Sequence, residues 1–386
     1  MTEFIFNTVP KLICKPGAMH GLGAHVKSQI GDHVFIVTDP GIIRFGLLKT
    51  ALSSLDKANI KYTIFDQVEA DPRASIVEEA AKAAIAASVD GVIGFGGGSS
   101  MDVAKLVALL AKQQEKLEDI YGIEMIKGDR LPLIQIPTTA GTGSEVTPIS
   151  IITVGSETKK GVVSSKLLPD MAILDADLTL GLPPHVTAAT GVDAMVHAIE
   201  AFTSKGANNN PLSATLGKEA LRLLGGNIRT AVKDGGNREA RSNMLLGACL
   251  AGQAFANSPV AAVHALAYPI GGIFHVPHGL SNALVLPEVM RFNATVCAAE
   301  YAELAPLVFP EIDCSEGSQK TCQIFIDKLA DLNAELGLET TLREVGISHE
   351  DLSRLASAAM EQTRLLVNNP REVTEQDAYN IYKKVL

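Results

Sequence analysis

The sequence predicts an α/β N-terminal domain with a mostly parallel sheet, followed by an all-α C-terminal domain. Two observations carry that reading. From residue 34 to about residue 175, short β-branched runs alternate with longer amphipathic ones, the signature of parallel strands with helices on the sheet faces. After Leu174 strand-like runs become rare, and Ala, Leu and Met recur at helical spacing.

Taken in order, the expected strands are residues 34–37, 62–65, 91–95, 133–136 and 171–174. Helical apolar spacing covers residues 43–58, 74–88 and 100–116 between them. The second half reads as helices over residues 185–203, 211–232, 237–257, 259–272, 295–307, 317–336, 348–364 and 374–384. Gly, Pro or Asn marks the breaks, as at Gly235-Gly236, Pro277 to Gly279 and Asn368-Asn369-Pro370. Two prolines in Leu180-Gly181-Leu182-Pro183-Pro184 stop one element and start the next, dividing the chain into residues 1–181 and 182–386.

A chain of 386 residues exceeds the size at which a single core usually stops growing, and 47% hydrophobic with 20% charged residues is a globular composition. A net charge of −10 argues against nucleic-acid and anionic-membrane partners, which require a concentrated basic face. Five scattered cysteines without a Cys-x-x-Cys pair predict reduced thiols. Met1 to Asn7 shows no signal-peptide pattern and no apolar run reaches membrane-span length, so a cytoplasmic location is expected.

Open parallel sheets bind ligands at the carboxyl ends of their strands. There, residues 91–95 run into Gly96-Gly97-Gly98-Ser99-Ser100-Met101-Asp102 and a helix follows at once. Glycines and the unpaired amides of a helix N-terminus suit a pyrophosphate. A tight turn capped by Ser99 explains the same residues, because the Gly-x-Gly-x-x-Gly spacing is not met. Asp39, at the end of the first strand, can accept from an adenosine ribose and repel a 2′-phosphate, which favours NAD over NADP. As the residue before Pro40 it is equally a good helix N-cap. The segment from Pro137 to Thr147, rich in hydroxyls and glycines, would face the same crevice.

In the second half, Gly191-Val192-Asp193-Ala194-Met195-Val196-His197-Ala198-Ile199-Glu200 places Asp193 and His197 four apart, on one helical face. An i, i+4 hydrogen bond at the surface is the plainer explanation of that pair. The apolar run from Val263 to Gly279 holds His264, His275 and His278. An imidazole buried there without a partner costs roughly 1–3 kcal/mol. One carboxylate with three imidazoles suits a divalent transition metal, although satisfied core histidines remain the alternative for His264 and His278. Beside a nicotinamide, such a metal implies alcohol chemistry.

Together, the Gly96–Asp102, Pro137–Thr147 and Gly191–Glu200 segments and Pro277-His278-Gly279 resemble the iron-containing (group III) alcohol dehydrogenases, over nearly the whole chain and in the right order. The resemblance implies a dehydroquinate-synthase-like fold, an N-terminal NAD(P) domain, a helical C-terminal domain and a metal in the cleft between them. It implies a homodimer or higher homo-oligomer and a small alcohol, aldehyde or ketone as substrate. By motif match, Asp193, His197, His264 and His278 look like ligands to Fe2+, with Zn2+ the alternative. Gly97, Gly98, Ser99, Asp102, Thr138, Thr139 and Thr142 look like cofactor contacts. Asp39 matches the acidic discriminator for NAD, and Asp71 stands where an Asn is common. Lys159 matches a cofactor-reaching lysine, with neighbouring Lys160 as the other register.

One departure touches mechanism. The family commonly reads His-x-x-x-His at the third ligand's helix, whereas here the second position is Tyr268. A tyrosine, with an ordinary pKa near 10, is a poorer neutral-pH proton relay than a histidine. Tyr268 is the expected relay, with His275 as a substitute more in keeping with a structural role. Two further readings are a dehydroquinate-synthase-type lyase on the same scaffold and a non-catalytic nucleotide-binding or assembly protein.

Overall fold

The computed structural model describes residues 3–155 and 158–386. The chain divides into two compact units, one of Asn7–Thr139 with Gly143–Leu180, the other built on Gly181–Leu386 with Ala140–Thr142. In the first unit the strands are β1 (Leu12–Cys14), β2 (His33–Val37), β3 (Lys61–Phe65), β4 (Gly91–Gly96), β5 (Gly122–Ile123), β6 (Leu133–Pro137), β7 (Ile149–Val154), β8 (Thr158–Val163) and β9 (Met171–Leu174). Its helices are α1 (Leu22–Gln29), α2 (Pro40–Arg44), α3 (Lys49–Lys57), α4 (Ala74–Ala87) and α5 (Gly98–Leu110).

Six strands form one sheet in the order β1-β9-β6-β4-β2-β3, every pairing parallel. Alternate residues of each strand feed opposite faces. Val34, Ile36, Ile93, Phe95 and Ile134 pack with Leu22 and Leu55, while Phe35, Val37, Val92 and Leu133 pack with Val77, Val103 and Val107. Burial on both faces explains why these strands read as nearly continuous apolar runs. The strand order reverses between β2 and β4, so Asp39 and the Gly96–Gly98 turn follow the two strands at the topological switch point.

All five expected strands form. The small sheet β5-β8-β7 and the edge strand β1 escape the sequence pattern. β1 and β5 are only three and two residues long, and β8 is rich in Thr, Lys and Gly, so these lack a β-branched apolar run; β7, Ile149–Val154, is such a run and is missing from the expected strands. The single helix expected over 43–58 is interrupted between Arg44 and Lys49, where Gly46 takes φ +67°.

The second unit contains α6 (Pro184–Thr203), α7 (Pro211–Lys233), α8 (Arg238–Asn257), α9 (Ala262–Phe274), α10 (His278–Val308), α11 (Ser318–Glu335), α12 (Leu352–Met360), α13 (Thr363–Leu366) and α14 (Glu375–Val385). Helix α10 begins well before the expected residue 295 and kinks at Cys297. Residues 279–287 are buried all round, so no amphipathic period marks them in the sequence. Among the described residues, no single helix is long and apolar enough to cross a membrane; α8 and α9 pass that test only as a pair bent by 107°.

Candidate active site

Helix α6 starts with Pro184 at its first position, where the missing N–H costs nothing, and carries Asp193 and His197 one turn apart. His264 lies in the first turn of α9, and His278 is the first residue of α10. One donor atom from each of Asp193, His197, His264 and His278 lies within 4.8 Å of the others, a grouping that could hold a metal ion. Asp193, His197 and His264 are buried and His278 is partly exposed.

Close packing sets this geometry. A Cβ on Gly279 would sit 2.5 Å from the carbonyl oxygen of Ala189, so only glycine lets the start of α10 lie against α6. The His197 ring stacks on Phe255 and on His264, with centroids 4.4 and 4.7 Å apart, and the His264 and His278 centroids are 5.5 Å apart.

The polar surroundings favour a metal. Asn282 Nδ2 donates to Asp193 Oδ1 at 2.6 Å. Glu200 Oε1 accepts from the Val263 amide at 2.7 Å, and Oε2 lies 2.6 Å from His264 Nδ1. His264 Nε2 and His197 Nδ1 are buried without a hydrogen-bond partner. Burial pushes the His197 pKa down to about 3, with His264 and His278 adding to the effect and Asp193 opposing it. Asp193 is held below the ordinary carboxylate range, because the three imidazoles and Asn282 outweigh its burial. A fixed carboxylate beside His197 Nδ1 and His264 Nε2, both buried without hydrogen-bond partners, and a third imidazole from His278 make a donor set suited to a divalent transition metal.

Tyr268, in the middle of α9, is half-buried, with its ring centroid 6.5 Å from His264 and 5.9 Å from His278. His275 is exposed and ends α9 in the left-handed conformation at φ +57°, outside the donor cluster.

At the switch point, Gly96 takes φ +154°, and a Cβ there would lie 2.6 Å from Ser100 Oγ. The N-cap of α5 is Gly97, and no side chain caps the helix, so Ser99 is not the cap. The first-turn amides of Gly98 and Ser99 are thus left without side-chain competition for an anion. Asp39 Oδ1 caps α2 through Gly41 and Ile42, while Oδ2 lies 3.4 Å from Ser100 Oγ, on the side of the glycine turn. The Thr138 amide donates to the Gly96 carbonyl at 3.0 Å, and the Thr139 side chain faces Gly97. Thr142 groups with the helical unit, where neighbouring Gly141 packs on Thr190. Asp71, at φ +53°, is ion-paired with Lys159, whereas Lys160 lies over the Tyr121 ring at 4.9 Å.

Asp102 is engaged by the protein itself. Its oxygens accept from Ser144 Oγ at 2.6 Å and from the Ile151 amide at 2.8 Å, and Lys105 Nζ lies 3.5 Å away. Lys105 was not anticipated from sequence. It is fully buried and donates to Ser144 Oγ, Thr147 Oγ1 and the Ile149 carbonyl, so it ties α5 to the segment leading into β7. Glu200 and Asn282 were likewise given no role. For Glu200 a signal existed: a carboxylate one turn past His197 in an otherwise apolar helix must find a partner when buried.

A glycine turn at the switch point of a parallel sheet suits a nucleotide, and the Asp/His donor cluster suits a divalent metal. Known proteins narrow that reading further. The model of iron-containing alcohol dehydrogenases matches residues 10–176, and that of the C-terminal part of the same family matches residues 187–386. The chain is 38% identical to long-chain-alcohol dehydrogenase 1 of Geobacillus thermodenitrificans over 377 residues, covering 95% of this chain and 93% of that protein. A crystal structure of a 1,3-propanediol oxidoreductase superposes with a TM-score of 0.95 at 31% identity, over 100% of both chains. Sulfoacetaldehyde reductase from Bifidobacterium kashiwanohense, solved with NAD+, superposes with a TM-score of 0.88 at 27% identity, over 100% of this chain and 99% of that one. The chain belongs to the iron-containing alcohol dehydrogenase family and is an oxidoreductase. Matches to dehydrogenases and reductases set aside the lyase and non-catalytic readings.

Proposed function

We propose that the chain interconverts a small primary or secondary alcohol and its aldehyde or ketone with NAD(H) in preference to NADP(H), using one Fe2+, or Zn2+ in its place, held by Asp193, His197, His264 and His278. The observation that carries this is the His264 ring, whose buried Nε2 has no partner and lies 4.0 Å from Asp193 Oδ1. A divalent metal bound there supplies Lewis acidity, which lowers the pKa of an alcohol hydroxyl and polarises a carbonyl.

The residues divide the remaining work. Residues 1–181 form the cofactor domain and residues 182–386 the metal domain. Gly97, Gly98 and Ser99 offer backbone amides to the pyrophosphate, with Thr138, Thr139 and Thr142 as hydroxyl donors around it. Asp39, its first oxygen occupied by the α2 cap, uses the second for the adenosine ribose. The Asp71–Lys159 pair borders the cofactor, and Asp102 acts on it by anchoring Ser144 and β7. Tyr268 relays the proton. The enzyme works in the cytoplasm as a homodimer or larger homo-oligomer.

The matched proteins are named for alcohols and aldehydes of different size and polarity, so the test is a panel of short and long alcohols and aldehydes. NADH absorbance is followed with metal-stripped protein and after adding ferrous ion or zinc. Turnover should vanish on stripping and return with metal; full activity in the stripped protein overturns the proposal.

A further inference from the structure

Glu200 is buried on α6, one turn beyond His197, and it touches two donors at once. Its Oε1 accepts the Val263 N–H at 2.7 Å, and its Oε2 lies 2.6 Å from His264 Nδ1. A backbone amide can only donate, which fixes the role of Oε1. Facing the other carboxylate oxygen, His264 Nδ1 carries the ring proton. In a neutral imidazole the second nitrogen then holds the lone pair. That nitrogen is Nε2, buried without a partner and 4.0 Å from Asp193 Oδ1.

We infer that Glu200 is a positioning residue: through its contacts with the Val263 amide and His264 Nδ1 it fixes the tautomer and ring orientation of His264, presenting the Nε2 lone pair to the metal. The inference rests on the metal reading above. An outer carboxylate of this kind typically changes metal affinity about ten- to a hundredfold.

Glu200→Gln tests this with little change of shape. The amide has one acceptor oxygen for two donors. Because the Val263 N–H cannot become an acceptor, the oxygen goes to it and the NH2 group turns to His264 Nδ1. That reverses the tautomer and places a proton on Nε2, inside the donor set. Zinc affinity is measured on metal-free protein by competition with a chelating dye, and E200Q should bind about ten- to a hundredfold more weakly than wild type. Wild-type affinity in E200Q overturns the inference while leaving the metal site standing. Failure of the wild type to take up zinc overturns the metal reading and this one with it. A second measurement needs no variant: 15N-histidine NMR of the metal-free wild type should show His264 protonated at Nδ1, and protonation at Nε2 overturns the inference.

Discussion

Asn282 donates from Nδ2 to Oδ1 of Asp193 at 2.6 Å, and both side chains are buried. The same nitrogen lies 3.2 Å from His278 Nε2, so one amide on α10 touches donors from two helices. Hydrogen bonds to a charged group contribute about 1.5–3 kcal/mol. Asn282→Ala should destabilise metal-free protein by about that much. Zinc-loaded protein should lose less, because the cation then compensates the Asp193 charge. Urea unfolding with and without zinc measures both losses; equal losses would mean that Asn282 does not serve the donor set.

The junction of α6 and α10 depends on a missing side chain. With only 2.5 Å between a Cβ at position 279 and the Ala189 carbonyl, Gly279→Ala must push α10 away from α6. Overpacking of this kind costs about 1–3 kcal/mol. Because His278 adjoins the displaced residue, zinc affinity should fall to that of His278→Ala. An alanine variant with wild-type stability and zinc binding would refute this account.

Both halves of the architecture were legible because their periods differ. Strands buried on two faces announce themselves as apolar runs, and amphipathic helices repeat near 3.6 residues. Where a helix is buried all round, as in the first half of α10, the period disappears, and the sequence did not mark residues 280–294 as helical. The convergence of the four histidine and aspartate donors was legible only through the motif resemblance; spacing alone pairs Asp193 with His197, and the Gly279–Ala189 contact that brings α10 to α6 spans ninety positions. The supporting groups were least legible. Glu200, Asn282 and Lys105 act through polar contacts with residues 39 to 89 positions away, and linear spacing records nothing of that.

Acid should loosen the metal-free protein. His197 ordinarily titrates near 6.5 but only near 3 when folded, because burial opposes its charge. The unfolded chain therefore binds the extra proton first, so stability is fully present above pH 6.5 and is lost as the pH falls towards 3. Asp193, depressed below 3.8, adds to the loss at the acid end. The His197 contribution is on the order of a few kcal/mol. Unfolding free energies of metal-free protein between neutral pH and mild acid should fall steeply in the wild type and less steeply in His197→Asn. Parallel slopes would remove His197 as the cause.

Asp39 performs two tasks that can be separated. Serine also caps helices but carries no charge, so Asp39→Ser should keep α2 while removing the repulsion of a 2′-phosphate. The ratio of kcat/KM for NADP+ to that for NAD+ should rise by about tenfold or more, a change of roughly 1.4 kcal/mol. Asp39→Ala should change the ratio similarly but cost about 1 kcal/mol in stability through the lost cap. An unchanged ratio in both variants would leave Asp39 with the capping role alone.

Tyr268 decides how the proton leaves. Its half-buried ring packs beside His264 and His278, so Tyr268→Phe keeps the packing and removes only the hydroxyl. If that hydroxyl is the relay, kcat should fall by about 10²–10⁴-fold with KM changed far less. Tyr268→His introduces a group with an ordinary pKa near 6.5 in place of one near 10. The pH at which kcat is half-maximal should then move towards neutrality, and kcat at neutral pH should exceed that of the wild type. Full pH–rate profiles of the three proteins provide the comparison. A phenylalanine variant that keeps wild-type kcat across the range would show that the proton takes a route independent of position 268.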